Sequence, residues 1–297
     1  MKKAKEHFDL HQIVTDKIIN SLENNKIPWS KPWYAPENQH MNFHTGRKYQ
    51  GVNQLLLGMT EYTEPYWMTY RQVQQRGGVI TKGSKSEQIV FWKILDVKEK
   101  KNGTLTGEIA HIPFLKYSNV FNATQIEDIK FPEVDKPKIK ITPDEASIFL
   151  EELLLSMPDP PKLTHGGHRA CYIPIKDTVN MPPRDSFKSA TGYVDTMAHE
   201  FVHATGHEKR LNRNTTTAFG DLTYSREELV AEIGSSFLCS EAGIDREFDN
   251  QVAYIKSWMK SLKNDKGMIT WAASKATKAV NHILKIQPQQ QEEKSAA

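Results

Sequence analysis

Leu10, Val14, Ile18 and Leu22 recur at helical spacing, which predicts an amphipathic helix over residues 8–25 that ends before Pro28. The following Pro28-Trp29-Ser30-Lys31-Pro32-Trp33 reads as a rigid, extended aromatic segment. Thr45-Gly46-Arg47 reads as a turn, Val52–Leu57 as a short helix or strand, and Thr69–Arg76 as a helix stopped by Gly77-Gly78. Strands are predicted over Gln88–Val97 and Glu108–Val120, flanking the hairpin signal Asn102-Gly103. The first part of the chain is therefore a mixed α+β unit.

Residues 127–141 are rich in Lys, Asp and Pro and read as a linker. A second unit opens at Thr142-Pro143-Asp144-Glu145, where Thr142 caps, Pro143 suits the first helical position and Glu145 closes a capping box. Helix 143–156 leads into a Gly- and His-rich loop and then to antiparallel strands Cys171–Ile175 and Thr178–Met181. An apolar helix surrounds residue 199, and another helix is expected to start at the apparent capping box Ser225–Glu228. Two further helices are expected near 247–263 and 269–285, and the Gln-rich stretch 287–297 reads as a disordered tail. The expected fold class is thus α+β in two domains, 1–126 and 142–286, joined by the linker 127–141.

With 38% hydrophobic and 25% charged residues, the chain is expected to be a soluble globular protein with no transmembrane span and no secretory signal. Cys171 and Cys239 lack metal-type spacing and are expected to be free thiols in a reducing cytoplasm. The net charge of +3 conceals an asymmetry. Residues 1–126 carry 17 Lys and Arg against 11 Asp and Glu, a balance of +6, and residues 127–297 carry 22 against 25, a balance of −3. A basic N-terminal half is a cue for a nucleic-acid or membrane partner.

The sharpest chemical signal is His199-Glu200-Phe201-Val202-His203. On a helix, residues four apart share a face, so both imidazoles can grip one ion while Glu200 handles protons. A chance HExxH is expected in roughly a few of every hundred such chains, so the motif needs a third ligand. His207 follows Gly206 and reads as a helix C-terminal cap, and Lys209 stands where the metzincin pattern needs histidine. Glu232 lies on the inward stripe of the helix holding Leu229, Ile233 and Phe237, where a carboxylate needs a metal or a cation such as Arg210 or Arg226. Glu228 is assigned to the cap. The expected site is Zn²⁺, or another divalent metal such as Mn²⁺, on His199, His203 and Glu232, with a water position open and Glu200 as general base. Tyr172, Tyr193 and Tyr224 are the candidate oxyanion donors.

Residues 1–126 hold four of the six Trp and six of the ten Tyr, several beside cations. Single-stranded nucleic acid is bound by aromatic platforms with Lys and Arg along the backbone. The candidate DNA-binding residues are Trp29, Lys31, Trp33, Arg47, Lys48, Arg71, Lys82, Lys85, Trp92 and Lys93.

Residues Trp29–Trp33, Asn42–Asn53 and Val90–Lys93 resemble the N-terminal domain of ArdC-type antirestriction proteins, a domain type also found in plasmid primases. His199–Arg213 and Glu227–Glu232 resemble the zincin domain that follows in that family. The resemblance implies a DNA-binding domain, for single strands especially, joined to a zincin-like metallopeptidase similar to SprT and Spartan proteases. It implies protection of incoming plasmid DNA from restriction in a bacterial cytoplasm, with single-stranded and also double-stranded DNA as partners. The coupling of the two domains suggests a DNA-bound protein as the substrate, and no membrane partner is expected. It carries the metal ligands onto His199 and His203 and the base onto Glu200. Spartan-like enzymes use a third histidine that has no counterpart at a matching place here. Two other readings remain, a non-enzymatic DNA shield with a structural or vestigial metal site and a plasmid replication accessory.

Overall fold

A computed structural model describes residues 9–29, 39–101, 104–133, 142–213, 222–246 and 251–287. Helix α1 (Leu10–Glu23) starts at Asp9, whose carboxylate accepts from the amides of His11 and Gln12. Its stripe of Leu10, Val14, Ile18 and Leu22 is buried as the spacing requires. Strands β1 (Met41–Asn42) and β2 (Arg47–Lys48) flank a turn at Gly46, whose φ of +69° favours glycine. Helix α2 (Val52–Gly58) resolves the helix-or-strand ambiguity in favour of helix. Strand β3 (Tyr66–Thr69) runs into α3 (Tyr70–Gln75), which Thr69 and Gln72 cap reciprocally. Strand β4 (Val79–Ile80) precedes the hairpin of β5 (Glu87–Lys101) and β6 (Thr104–Asn122), longer than the sequence pattern suggests and closed at Lys101 and Thr104. The five-stranded sheet has order β2-β1-β3-β6-β5. Strand β5 is its edge, and Asn53 of α2 covers part of that edge by bonding both the amide and the carbonyl of Val90, at 2.8 and 2.6 Å.

Strand β7 (Ile126–Glu127) pairs with β4, and Phe131 packs on Phe43 and Tyr66. The N-terminal unit therefore continues through at least Phe131, into the stretch read as linker, of which 134–141 lies outside the described residues. The tail beyond 287 lies outside them as well.

Helix α4 (Pro143–Leu155) begins at the Thr142–Glu145 capping box, as the sequence dictates. Strands β8 (Lys162–His165), β9 (Cys171–Ile173) and β10 (Thr178–Met181) form a sheet of order β8-β10-β9. The β9–β10 pair is antiparallel, as expected. The parallel strand β8 occupies the start of the predicted loop. Helices α5 (Ala190–Ala204), α6 (Leu222–Glu241), α7 (Gln251–Asn264) and α8 (Met268–Ile283) follow among the described residues.

One apolar core crosses between the two halves. Val14, Ile18, Leu22 and Leu55 belong to the same buried cluster as Phe201, Leu229, Trp258, Ile269 and Ala276. Trp29 sits inside this cluster at 0% exposure, edge-on to Trp258 with ring centroids 5.0 Å apart, and its carbonyl accepts from the Ser236 hydroxyl of α6. Among the described residues, no helix is long and apolar enough to cross a membrane.

A candidate metal centre between two helices

Ser189 caps α5 by accepting from the Gly192 amide, and Val194, Met197, Ala198, Phe201 and Val202 bury the helix. This packing turns His199 and His203 towards α6, with their Nε2 atoms 3.1 Å apart. Helix α6 starts at Leu222, three residues before the expected cap at Ser225, so Glu228 has no capping duty. Its carboxylate oxygens lie 3.6 Å from His199 Nε2 and 3.5 Å from His203 Nε2. Among the described residues, His199, His203 and Glu228 form the one group of at least three such side chains whose ligand atoms all lie within 4.8 Å of one another.

Donors bound tetrahedrally to Zn²⁺ at about 2.0–2.2 Å sit roughly 3.3–3.6 Å apart. The 3.5 and 3.6 Å spacings from Glu228 meet that requirement, the 3.1 Å between the imidazoles is slightly shorter, and two imidazoles with a carboxylate are a donor set that zinc accepts. The residues present therefore fit a divalent ion.

Glu228, and not the expected Glu232, is the carboxylate that faces both Nε2 atoms in this geometry. Glu232 lies one turn beyond Glu228, and its Oε1 is 3.8 Å from the Nδ1 of His199, the nitrogen facing away from the ligand cluster. Its other oxygen is 3.3 Å from Arg246, not Arg210 or Arg226. Arg246 in turn bonds Asp195 of α5 at 2.9 Å. Glu227 does the same for the second histidine. Its Oε1 lies 3.6 Å from His203 Nδ1, and Arg213 holds it through contacts of 2.7 and 3.2 Å. Arg213 also donates to Val202 O and Thr205 Oγ1 at the end of α5. Each imidazole thus has one nitrogen aimed at the ligand cluster and the other at a carboxylate, an arrangement that orients ligating histidines. His207 does not cap α5 with its side chain. That position is taken by Arg210, whose Nε donates to Ala204 O at 2.6 Å.

The acids and bases perturb one another. Burial works against charge on Glu228, but the hydrogen bond from His199 and the charges of both histidines hold its carboxyl down to about 2. Burial likewise opposes the charged form of His199, yet Glu228, Glu232 and Glu200 together push it up to about 9. Glu200 is buried, and its Oε2 accepts from the Tyr172 amide of β9 at 2.7 Å. Both His residues, Glu200 and Glu228 line a cleft of about 480 Å³, with Tyr224 and Arg169 also in its wall.

The three candidate tyrosines separate clearly. Tyr193 is buried, bonded to His165 at 2.9 Å and overlain by Arg184. The Tyr172 hydroxyl is engaged by Asp177 and Arg210. Tyr224 lies in the cleft wall with its hydroxyl bonded to Glu228, and burial and that carboxylate push it up to about 12.

The residues expected to bind DNA do not converge. Arg47 and Lys48 are exposed on β2 at one edge of the large sheet, Trp92 and Lys93 on β5 at the other. Arg71 is exposed on α3, and Lys82 and Lys85 lie before β5. Trp29 is core, because Trp258 and α6 enclose it, and it presents no ring for stacking. Lys31 and Trp33 lie outside the described residues.

A zincin-like metallopeptidase domain preceded by a second α+β unit is the class that this geometry and the comparisons define. Residues 155–275 match a family of zincin-like metallopeptidases, and residues 8–121 match the N-terminal domain of anti-restriction factor ArdC. Crystal structures of the antirestriction ArdC protein from plasmid R388, metal-free and Mn(II)-bound, are 36% identical in sequence to this chain. They superpose with TM-scores of 0.74 and 0.73, covering 94% of this chain and 97% and 98% of theirs. The chain belongs to the ArdC family of antirestriction proteins. A DNA primase, TraC of Escherichia coli, is 31% identical over 99% of this chain but only 29% of the primase. The protein y4eC of Sinorhizobium fredii is 30% identical over 97% of this chain and 96% of its own length. This chain spans under a third of the TraC primases that it matches.

Proposed function

We propose that this protein protects incoming DNA from restriction in the bacterial cytoplasm, binding DNA, single strands above all, through its N-terminal half. Its C-terminal half would be a zinc-dependent peptidase whose substrate is a protein on that DNA. The observation that carries the reading is the meeting of His199, His203 and Glu228 beside Glu200 in one cleft, in a chain similar end to end to R388 ArdC.

His199, His203 and Glu228 would hold the ion, with Zn²⁺ expected and Mn²⁺ as the alternative suggested by the R388 protein. A zinc ion supplies Lewis acidity towards a carbonyl oxygen and makes water a stronger acid. Glu200 would accept the proton of the attacking water and return it to the leaving amine. The Tyr172 amide fixes the carboxylate of Glu200 for this task. The Tyr224 hydroxyl, in the cleft wall beside Glu228, would be the candidate donor to a developing oxyanion. Glu227 and Glu232 would hold the histidine rings in register.

The test is a restriction-protection assay in cells, comparing the parent with Glu200→Ala at matched expression. Lost protection ties the carboxylate chemistry to antirestriction. Retained protection assigns antirestriction to DNA binding alone, as the shield reading holds.

A further inference from the structure

The β5–β6 hairpin exposes large apolar side chains that a folded chain would ordinarily bury. Phe91 is 42% exposed and Trp92 53%. Cross-strand register puts Phe91 opposite Lys116 and Lys93 opposite Phe114. Residues two apart on a strand share a face, so Phe91, Lys93, Phe114 and Lys116 lie on one side of the ribbon. The result is a checkerboard, with each aromatic flanked along its strand and across it by a lysine. Lys93 and Lys116 are exposed, and Lys116 Nζ stands 5.4 Å from the Phe114 ring centroid.

The same face changes character along the ribbon. Nearer the core, Ile89 and Val120 are packed under Trp67 and Leu57. Past Ile89 that cover ends, and the alternation of ring and cation begins. On the opposite face Val90 and Leu115 join the main core and Trp92 meets the His11 ring at 5.7 Å, so that side is partly occupied by α1.

We propose that the Phe91–Lys93–Phe114–Lys116 face is where a single DNA strand lies. Two bases stack on the phenylalanine rings, and the two ammonium groups pair with the phosphates between them. Ring and cation at alternating positions match the alternating base and phosphate of one unpaired strand. A duplex keeps its base faces stacked inside and offers such rings nothing to stack on. The proposal deepens the DNA-binding reading above and rests on it, and it replaces Trp29 as an aromatic platform.

The test is fluorescence anisotropy of labelled oligo(dT), and of a duplex of the same length, on the full chain. Three variants are compared with the parent: Phe91→Ala/Phe114→Ala, Lys93→Ala/Lys116→Ala, and Arg47→Ala/Lys48→Ala at the far sheet edge. Circular dichroism checks that each is folded. Removing both rings is expected to weaken oligo(dT) binding by about 10- to 100-fold or more, with an unchanged salt slope and little effect on the duplex. Removing both lysines is expected to lower the slope of log K against log salt by roughly 1.4, about 0.7 for each lost phosphate contact on a single strand. The far-edge pair serves as the comparison and is expected to have the smaller effect. The proposal is overturned if both hairpin variants bind oligo(dT) within twofold of the parent, or if single strand and duplex weaken alike. A change in self-association without loss of oligo(dT) binding also overturns it, by assigning the face to a second copy of the chain. A parent that binds no oligo(dT) removes the DNA-binding reading itself, a different failure from an unaffected variant.

Discussion

A Cβ atom on Gly234 would lie 2.9 Å from both methyl carbons of Val202. Val202 is fully buried and β-branched, so it cannot swing aside. The absence of a side chain at Gly234 therefore lets α6 approach α5 at this point, one residue from His203. That approach sets the distance between Glu228 and the two imidazoles.

Gly234→Ala is accordingly expected to destabilise the protein by about 1–3 kcal/mol, the usual cost of overpacking a filled core, and to weaken metal binding although it touches no ligand. Thermal unfolding and zinc titration check both effects. Unchanged zinc affinity in the folded variant would mean that helix spacing does not set the site.

Glu228 and Glu232 should differ in their effect on metal affinity. Glu232→Gln is expected to cost about 10- to 100-fold, the range for partners that orient a ligand, and Glu228→Gln distinctly more. Competition with a chromophoric chelator measures both. A larger loss for Glu232→Gln would restore it as the third ligand.

The ion pair of Arg213 with Glu227 is buried and shared with the end of α5. Arg213→Met strands a buried carboxylate and is expected to cost about 3–5 kcal/mol. Adding Glu227→Leu should recover much of that stability while leaving His203 without its orienting carboxylate. Denaturant unfolding of the single and double variants decides the matter, and no recovery in the double variant would contradict it.

The pH dependence of the metal-free protein has a defined sign. His199 is raised from an ordinary value of about 6.5 to about 9. Its contribution to stability is therefore complete below about 6.5 and is lost as pH rises towards 9. Glu228 is held low, so its contribution is present above about 4.5 and fades as pH falls towards 2. Zinc needs the neutral imidazole, so its affinity should climb over the window in which metal-free stability declines. Melting temperatures between pH 6 and 9, with and without zinc, check this. A metal-free melting temperature that rises across that window, in the parent but not in Glu228→Gln, would contradict it.

Much of this molecule was legible because its signals are local. Two histidines four apart on an apolar helix declare a shared face whatever surrounds them, and Thr142-Pro143-Glu145 specifies a helix start within four residues. The failures were matters of tertiary context. Ser225 and Glu228 have the spacing of a capping box, but α6 extends back to Leu222, which frees Glu228 to face the histidines. Glu232 was rightly read as a carboxylate needing a partner. Its cation, Arg246, lies beyond the end of α6, where no helical spacing points. Trp29 stands beside Lys31 in sequence, which suggested a stacking platform, yet its neighbour in space is Trp258. Strand β8 pairs in parallel with β10 although β9 lies between them in sequence, a relationship that no local pattern encodes.

The decisive measurement is a crystal structure of the zinc-loaded protein, with the ion located by anomalous scattering at the zinc edge. The expected result is one strong peak bonded to His199 Nε2, His203 Nε2 and the Glu228 carboxylate, with Glu232 still paired to Arg246. A peak coordinated by Glu232 instead, or no peak between α5 and α6, would contradict the metal centre described above.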